Sequence, residues 1–135
     1  MRQFIIASHH RMAEGLKDTL AFVTSRTEHV YAIAAYVDDA LVLEDQIREL
    51  FGRFAPEDEV VVMTDLMSGS VNQKLYPYKN EHVHLIAGIN LPAAIALLFL
   101  PEDRYLEAED IRGVLAEARD QLVYINDCSG CEDEE

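Results

Sequence analysis

Apolar positions along the chain follow two alternating spacings. Continuous apolar runs fall at residues 4–7 (FIIA), 30–35 (VYAIAA), 60–63 (VVVM) and 83–87 (VHLIA). Such short runs, rich in Val and Ile, predict strands buried on both faces. Between them, apolar residues recur at helical spacing. Met12, Leu16, Leu20 and Val23 predict one helix. Leu43, Ile47, Leu50 and Phe51 predict a second, ended near Gly52 and Pro56. Residues 71–76 predict a short third helix that must stop before Pro77, because the residue preceding proline disfavours the helical region. Pro92 suits the first turn of a fourth helix running to about Leu100. Ile111, Val114, Leu115, Ala118 and Leu122 mark a last amphipathic helix. Val123, Tyr124 and Ile125 read as a short final strand.

Strands alternating with helices predict an α/β fold, a parallel sheet covered by helices on both faces. In open sheets of this kind ligands bind beyond the carboxyl ends of the strands. The residues that follow the strands therefore carry the chemistry. Ser8, His9 and His10 follow the first strand; Thr64, Asp65 and the loop LMSGSVNQ follow the third; Gly88, Ile89, Asn90 and Leu91 follow the fourth. If the first and third strands are neighbours, Asp65 reaches the ring of His9. A carboxylate accepting from Nδ1–H fixes the tautomer and leaves Nε2 as a nucleophile. Ser68, Gly69 and Ser70 lead into a helix, where backbone N–H groups suit a phosphate. Each element also has a plain reading: a polar surface histidine, a helix-capping aspartate, an ordinary loop. Their meeting at predicted strand ends is what singles them out, and Asp65 is expected at a solvent-facing strand end.

Composition narrows the partners. The 135 residues include 25 acidic and 11 basic side chains, a formal net charge of −14. That surface repels nucleic acid and suits a basic protein partner, although acidity also serves solubility. The start MRQFIIASHH lacks a secretory pattern, and the apolar stretch 91–100 is too short to span a bilayer, so the expected location is cytosolic. The acidic tail, residues 126–135, carries Cys128 and Cys131 with no second ligand pair nearby; it is read as unstructured and metal-free, after a single domain of residues 1–125. His82 and His84 read as structural rather than as a metal pair. Asp38, Asp39 and the acidic run 57–59 read as solvated turns.

Three stretches carry a family resemblance. SHHRMAEGL resembles the opening of the IIA domains of the mannose-family sugar phosphotransferase system (PTS), with Ser8, His9, Met12, Ala13, Gly15 and Leu16 in register. TDLMSGSVNQ resembles the family's Asp-x-x-Gly-Gly-Ser loop through Asp65, Gly69 and Ser70. VHLIAGINLPAAIALL resembles a third family stretch through Ala87, Gly88, Asn90, Leu91 and Pro92. The likeness spans roughly residues 3 to 125 in order. It implies a phosphotransferase, a cytoplasmic phosphocarrier that takes phosphate from phospho-HPr on Nε2 of His9 and passes it to a IIB component for sugar uptake. It implies a parallel sheet ordered 2-1-3-4, extended by an antiparallel strand exchanged within a homodimer, which residues 123–125 could supply. With His9 as nucleophile and Asp65 as its orienting acid, the phosphate-binding set becomes Ser68, Gly69, Ser70 and His10. His10 stands where the family usually has Gly, Ser68 where it often has Gly, and Val71 where it often has Pro. No cofactor is expected, no IIB domain is expected in the same chain, and membrane contact is expected only through the IIC/IID permease. Two alternatives stay open: a regulatory or degenerate phosphohistidine binding module, and a small tetrapyrrole metal chelatase. A receiver-like domain would also place an Asp after its third strand, but it needs an acidic pair where this chain has SHH.

Overall fold

The first strand lies at the centre of the molecule, and burial explains its composition. In the computed structural model, which describes residues 1–26 and 28–130, β1 (Arg2–His9) is buried at every position but the last. It is followed by α1 (Met12–Thr24), β2 (Val30–Ala35), α2 (Leu43–Gly52), β3 (Glu59–Thr64), α3 (Ser70–Leu75), β4 (Val83–Ala87), α4 (Leu91–Leu98) and α5 (Ala108–Arg119). The four strands are parallel and ordered β2-β1-β3-β4, as the family resemblance implied. Successive residues of a strand point to opposite faces, so the two faces hold two cores. Phe4, Ile6, Val61, Met63 and Ile86 pack with Leu20 of α1, Leu97 of α4 and Ile111 of α5. Ile5, Ala7, Ile33, Val60 and Val62 pack with Ile47 and Leu50 of α2 and with Val71 and Leu75 of α3. The result is three layers, with helices on both faces of the sheet.

Most predicted elements stand within a residue or two of their expected limits. α3 ends at Leu75 and the chain continues as a 3₁₀ turn, Tyr76–Tyr78, that accommodates Pro77. α4 opens with Asn90, whose side-chain oxygen accepts from the Ala93 N–H at 2.9 Å, a helix-capping bond. It stops at Leu98, short of Leu100. α5 stops at Arg119, so Leu122 lies outside the helix and is 85% exposed. Val123, Tyr124 and Ile125 form no strand within the single chain; Ile125 opens a 3₁₀ turn, Ile125–Asp127. Among the described residues no partner strand lies beside them to complete a ladder, and their side chains are half or more exposed. Of the tail, Cys131 falls outside the described residues. No helix among the described residues is long and apolar enough to cross a membrane.

Glu59 corrects the reading of 57–59 as a solvated turn. It opens β3 beside Arg2 and is 3% exposed. Its carboxylate accepts from Arg2 Nε at 2.8 Å, from the Leu106 N–H at 2.7 Å and from His84 Nε2 at 3.1 Å. Arg2 also donates to the Leu100 and Arg104 carbonyls, so this network ties β1, β3 and β4 to the connection before α5. The acidic run hid this role because burial of a charge depends on a partner distant in sequence. His84 is thereby structural, and His82 stacks on Tyr105 with ring centroids 3.8 Å apart.

Burial by itself would push the Glu59 carboxyl up, but the Leu106 N–H, His84 and Arg2 outweigh it and hold it below its ordinary 4.5. A depressed carboxylate contributes stability that is present above 4.5 and lost as pH falls through its lower folded value. Glu59→Gln leaves the Arg2 charge buried without its partner, and the expected loss is about 3 kcal/mol at neutral pH. Thermal melts down a pH series check this. The variant should melt about 10 °C lower at neutral pH and show a flatter loss on acidification; parallel acid limbs would show that Glu59 does not carry the dependence.

Candidate functional site

Strand register brings His9 and Asp65 together. β1 lies beside β3 with Ala7 opposite Thr64, so His9, the last residue of β1, faces Asp65, the first residue after β3. Oδ2 of Asp65 accepts two bonds from the same residue: the His9 backbone N–H at 2.8 Å and ring Nδ1 at 2.9 Å. Oδ1 accepts from the Leu66 N–H at 2.9 Å. An ionised carboxylate only accepts, so Nδ1 carries the proton and Nε2 holds a free lone pair. The expectation of a solvent-facing aspartate is corrected: its side chain is 10% exposed, while that of His9 is 36% exposed. Burial would raise the Asp65 carboxyl, but the backbone and ring N–H groups of His9 prevail and keep it below the usual range.

The loop after β3 closes over the other side of the ring. Thr64 Oγ1 donates to Asn72 Oδ1 at 2.9 Å, and Asn72 Nδ2 donates to the Met67 carbonyl at 3.1 Å. These bonds fold the loop back so that Gly69 and Ser70 approach His9. A Cβ on Gly69 would meet His9 Cε1 at 2.5 Å and Nε2 at 3.3 Å. Gly69 is thus required for close approach, not for its backbone angle, which is an ordinary φ of −87°. Ser70 Oγ stands 3.4 Å from Nε2. α3 has six residues, so little macrodipole accumulates; its first turn offers N–H groups with no acceptor inside the helix.

The remaining candidates divide. His10 sits at φ +59°, in the left-handed region, and its N–H donates to the Ala35 carbonyl at 2.8 Å. A backbone angle that glycine adopts freely gives a physical reason for the family's usual residue there. Histidine is among the non-glycine residues enriched in that region. The His10 ring is exposed and makes no hydrogen bond among the described residues, so its backbone, rather than its ring, shapes the turn. Ser68 is exposed on the loop, and its hydroxyl likewise makes no hydrogen bond there. Ser8, named from the sequence for its place and register, has a structural role, and two residues, Asn72 and Tyr36, escaped the sequence reading. Ser8, 1% exposed, accepts from the Ala13 N–H at 2.7 Å and donates to the His10 carbonyl, holding the turn into α1. Asn72 braces the loop. Tyr36, next after β2, places its hydroxyl 2.6 Å from Ser70 Oγ. The strand-end rule would have found Tyr36 had the end of the second strand been weighed with the others.

Fold and site together define a parallel α/β protein with an oriented imidazole at the carboxyl edge of its sheet. The chain belongs to the EIIA-man family, described as the PTS system fructose IIA component, which matches residues 3–109. It is therefore a IIA component of the sugar phosphotransferase system, a class of phosphotransfer proteins. A solved structure from Klebsiella pneumoniae subsp. pneumoniae, assigned by inference to a phosphoenolpyruvate-dependent sugar PTS permease, is 34% identical. The match covers 93% of this chain and 91% of that one, with a TM-score of 0.84. The fold is shared at 20% identity and a TM-score of 0.79 with the PTS IIA protein associated with the fucose utilization operon of Streptococcus pneumoniae, over 93% of this chain and 94% of that one. It is shared at 19% identity and 0.68 with a mannose/sorbose-specific IIA subunit from Enterococcus faecalis, over 88% and 87%. No match among curated protein sequences reaches significance.

Gly69→Ala tests the close approach. With an ordinary φ the variant should fold and melt within a few degrees of the parent, while the added methyl displaces the His9 ring. A displacement on the order of 1 Å at a reacting group costs about 10²-fold in rate. Ring NMR signals and phosphate uptake are the measurements; unchanged ring signals would show that the loop yields instead.

Proposed function

We propose that the chain is a cytoplasmic phosphocarrier that accepts phosphate from phospho-HPr on Nε2 of His9 and passes it to a IIB component. The observation that carries this reading is the pair of hydrogen bonds that His9 donates to Asp65 Oδ2, one from its backbone N–H and one from ring Nδ1. It holds Nδ1 protonated and leaves Nε2 as a lone pair on a ring still open to solvent. The lone pair attacks phosphorus, the bond from phosphorus to the donor breaks, and its electron pair leaves with the donor. The imidazolium charge that forms on His9 faces the Asp65 carboxylate, which remains ionised. The Ser70 hydroxyl stands on the Nε2 side, where it can donate to a phosphoryl oxygen, and the bare Gly69 backbone leaves space for it. Transfer to IIB runs the same steps in reverse. The reaction needs chiefly positioning and charge stabilisation. Exposed apolar side chains near the site, Met12, Leu66 and Met67, suit a macromolecular donor and acceptor, and the net charge of −14 suits basic ones.

The same reading includes a homodimer. β4 pairs with β3 on one side; on its other edge Val83 bonds Asn80, and beyond that no strand among the described residues pairs there. Residues 123–125 are apolar and exposed, and Tyr124 is extended, as suits a segment that could pair with that edge of a partner.

With phosphoenolpyruvate, enzyme I and HPr, the protein should take up one acid-labile, base-stable phosphate per chain. His9→Ala should abolish uptake and His10→Ala should retain most of it; a label following His10 would overturn the assignment. Asp65→Asn removes the charge and presents an NH₂ toward Nδ1–H, so single-turnover transfer should slow by roughly 10²-fold, less than for acyl transfer because no proton relay is involved. Its melt should drop by several degrees, since loss of a hydrogen bond to a charged group costs about 1.5–3 kcal/mol. Wild-type rates in Asp65→Asn would remove Asp65 from the site.

Truncation after Leu122 tests the dimer. The shortened chain should elute as a monomer where the full chain elutes as a dimer; an unchanged dimer would place the interface elsewhere.

A further inference from the structure

Tyr36 holds a conformation that burial does not explain. It follows β2 directly at φ +68°, in the left-handed region, although it is a bulky residue and 50% exposed. That angle costs roughly 1–2 kcal/mol for an L-residue with a side chain. Such outliers persist where the surroundings over-determine them, and they cluster at functional sites. Here the surroundings are specific. His9 pairs with Ala35 across β1 and β2, so Tyr36 emerges beside the end of β1. Its ring centroid lies 5.8 Å from that of His9, at an interplanar angle of 42°. Its hydroxyl lies 2.6 Å from Ser70 Oγ, and Ser70 Oγ lies 3.4 Å from His9 Nε2. Residues from three strand ends thus form one chain of polar atoms.

The direction of that chain follows from Asp65. Because the ionised carboxylate accepts from Nδ1–H, Nε2 of the neutral ring is an acceptor. Ser70 must then donate to Nε2, which commits its single proton. The Tyr36–Ser70 contact therefore has Tyr36 as donor. Once phosphorus occupies Nε2, the Ser70 proton loses that acceptor, and a phosphoryl oxygen takes its place. The Tyr36 bond is unaffected and keeps the Ser70 hydroxyl oriented in both states. We propose that Tyr36 is a positioning residue: through its hydroxyl it fixes Ser70 as a donor on the Nε2 side of His9, before and after phosphate arrives. The part played after phosphate arrives rests on the phosphocarrier reading above. The side-chain torsion of Ser70 is otherwise free to rotate its hydroxyl away, and the Tyr36 backbone is held in a costly turn to prevent that.

Tyr36→Phe removes the hydroxyl and keeps the ring; Ser70→Ala removes the group it orients. The Nε2 resonance of His9, read by nitrogen–proton NMR on the unphosphorylated chain, should move in each single variant. The double variant should show no further movement. Phosphoramidate then serves as a small donor that needs no docking. Its P–N bond breaks, ammonia leaves with the pair, and the new bond forms on Nε2. Tyr36→Phe should slow this step by about 10-fold, by no more than Ser70→Ala, with no further loss in the double variant. An unmoved Nε2 resonance in Tyr36→Phe, or fully additive rate effects, would overturn the proposal. So would a loss seen only with phospho-HPr as donor, because Tyr36 would then be a docking contact. Failure of the parent chain to take phosphate from either donor would instead overturn the phosphocarrier reading, and the NMR result would be unaffected by it.

Discussion

The site depends on one carboxylate oxygen. Asp65 Oδ2 receives both the backbone and the ring N–H of His9, so a single atom joins the ends of two neighbouring strands and sets the protonation of the imidazole. Everything beyond it follows in order. Nδ1 donates to Asp65, Ser70 Oγ stands 3.4 Å from Nε2, and the Tyr36 hydroxyl stands 2.6 Å from Ser70 Oγ. The bond is available only because β1 and β3 are adjacent in a register that puts Ala7 opposite Thr64. A slip of one residue would turn every side chain of β1 to the other face and carry His9 away.

The sheet can hold that register because the middles of its two central strands, residues 4–7 and 60–63, are apolar at every position. β1 is covered on both faces, and its two sets of side chains belong to two separate cores. Polar demands are moved to the strand ends. At the amino ends, Glu59 gathers Arg2, His84 and the Leu106 N–H into a buried network. At the carboxyl ends, Asp65 gathers His9 and the Leu66 N–H. Both carboxyls are held below their ordinary range against burial, by hydrogen bonds from partners far away in sequence. One such carboxylate secures the scaffold, and the other orients a ring that remains open to solvent.

The carboxyl edge also shows how small residues and unusual backbone angles shape a site. Gly69 is required because His9 lies where a methyl would be. His10 and Tyr36 both occupy the left-handed region without being glycine, and the His10 N–H bonds the carbonyl just before Tyr36. Two adjacent strand ends therefore turn sharply side by side, and the gap between them frames the imidazole. Departures from the family pattern at His10 and Ser68 fall on exposed side chains, so they alter the rim more than the His9–Asp65 pair.

By itself the sequence determined the element order, the α/β class and the residues at the strand ends, because continuous apolar runs and helical spacing are local patterns. It singled out His9, Asp65, Gly69 and Ser70 in the same way, by their place just past such runs. What it left to tertiary structure was every property that depends on a distant neighbour. The charge of Glu59 reads as solvated until Arg2 and Leu106 arrive beside it. Tyr36 reads as one more aromatic until the pairing of β1 with β2 sets it against His9 and Ser70. Asn72 reads as a helix residue until its side chain reaches Thr64 and Met67. Residues 123–125 have the composition of a strand, but a strand needs an edge to pair with, and composition cannot supply one.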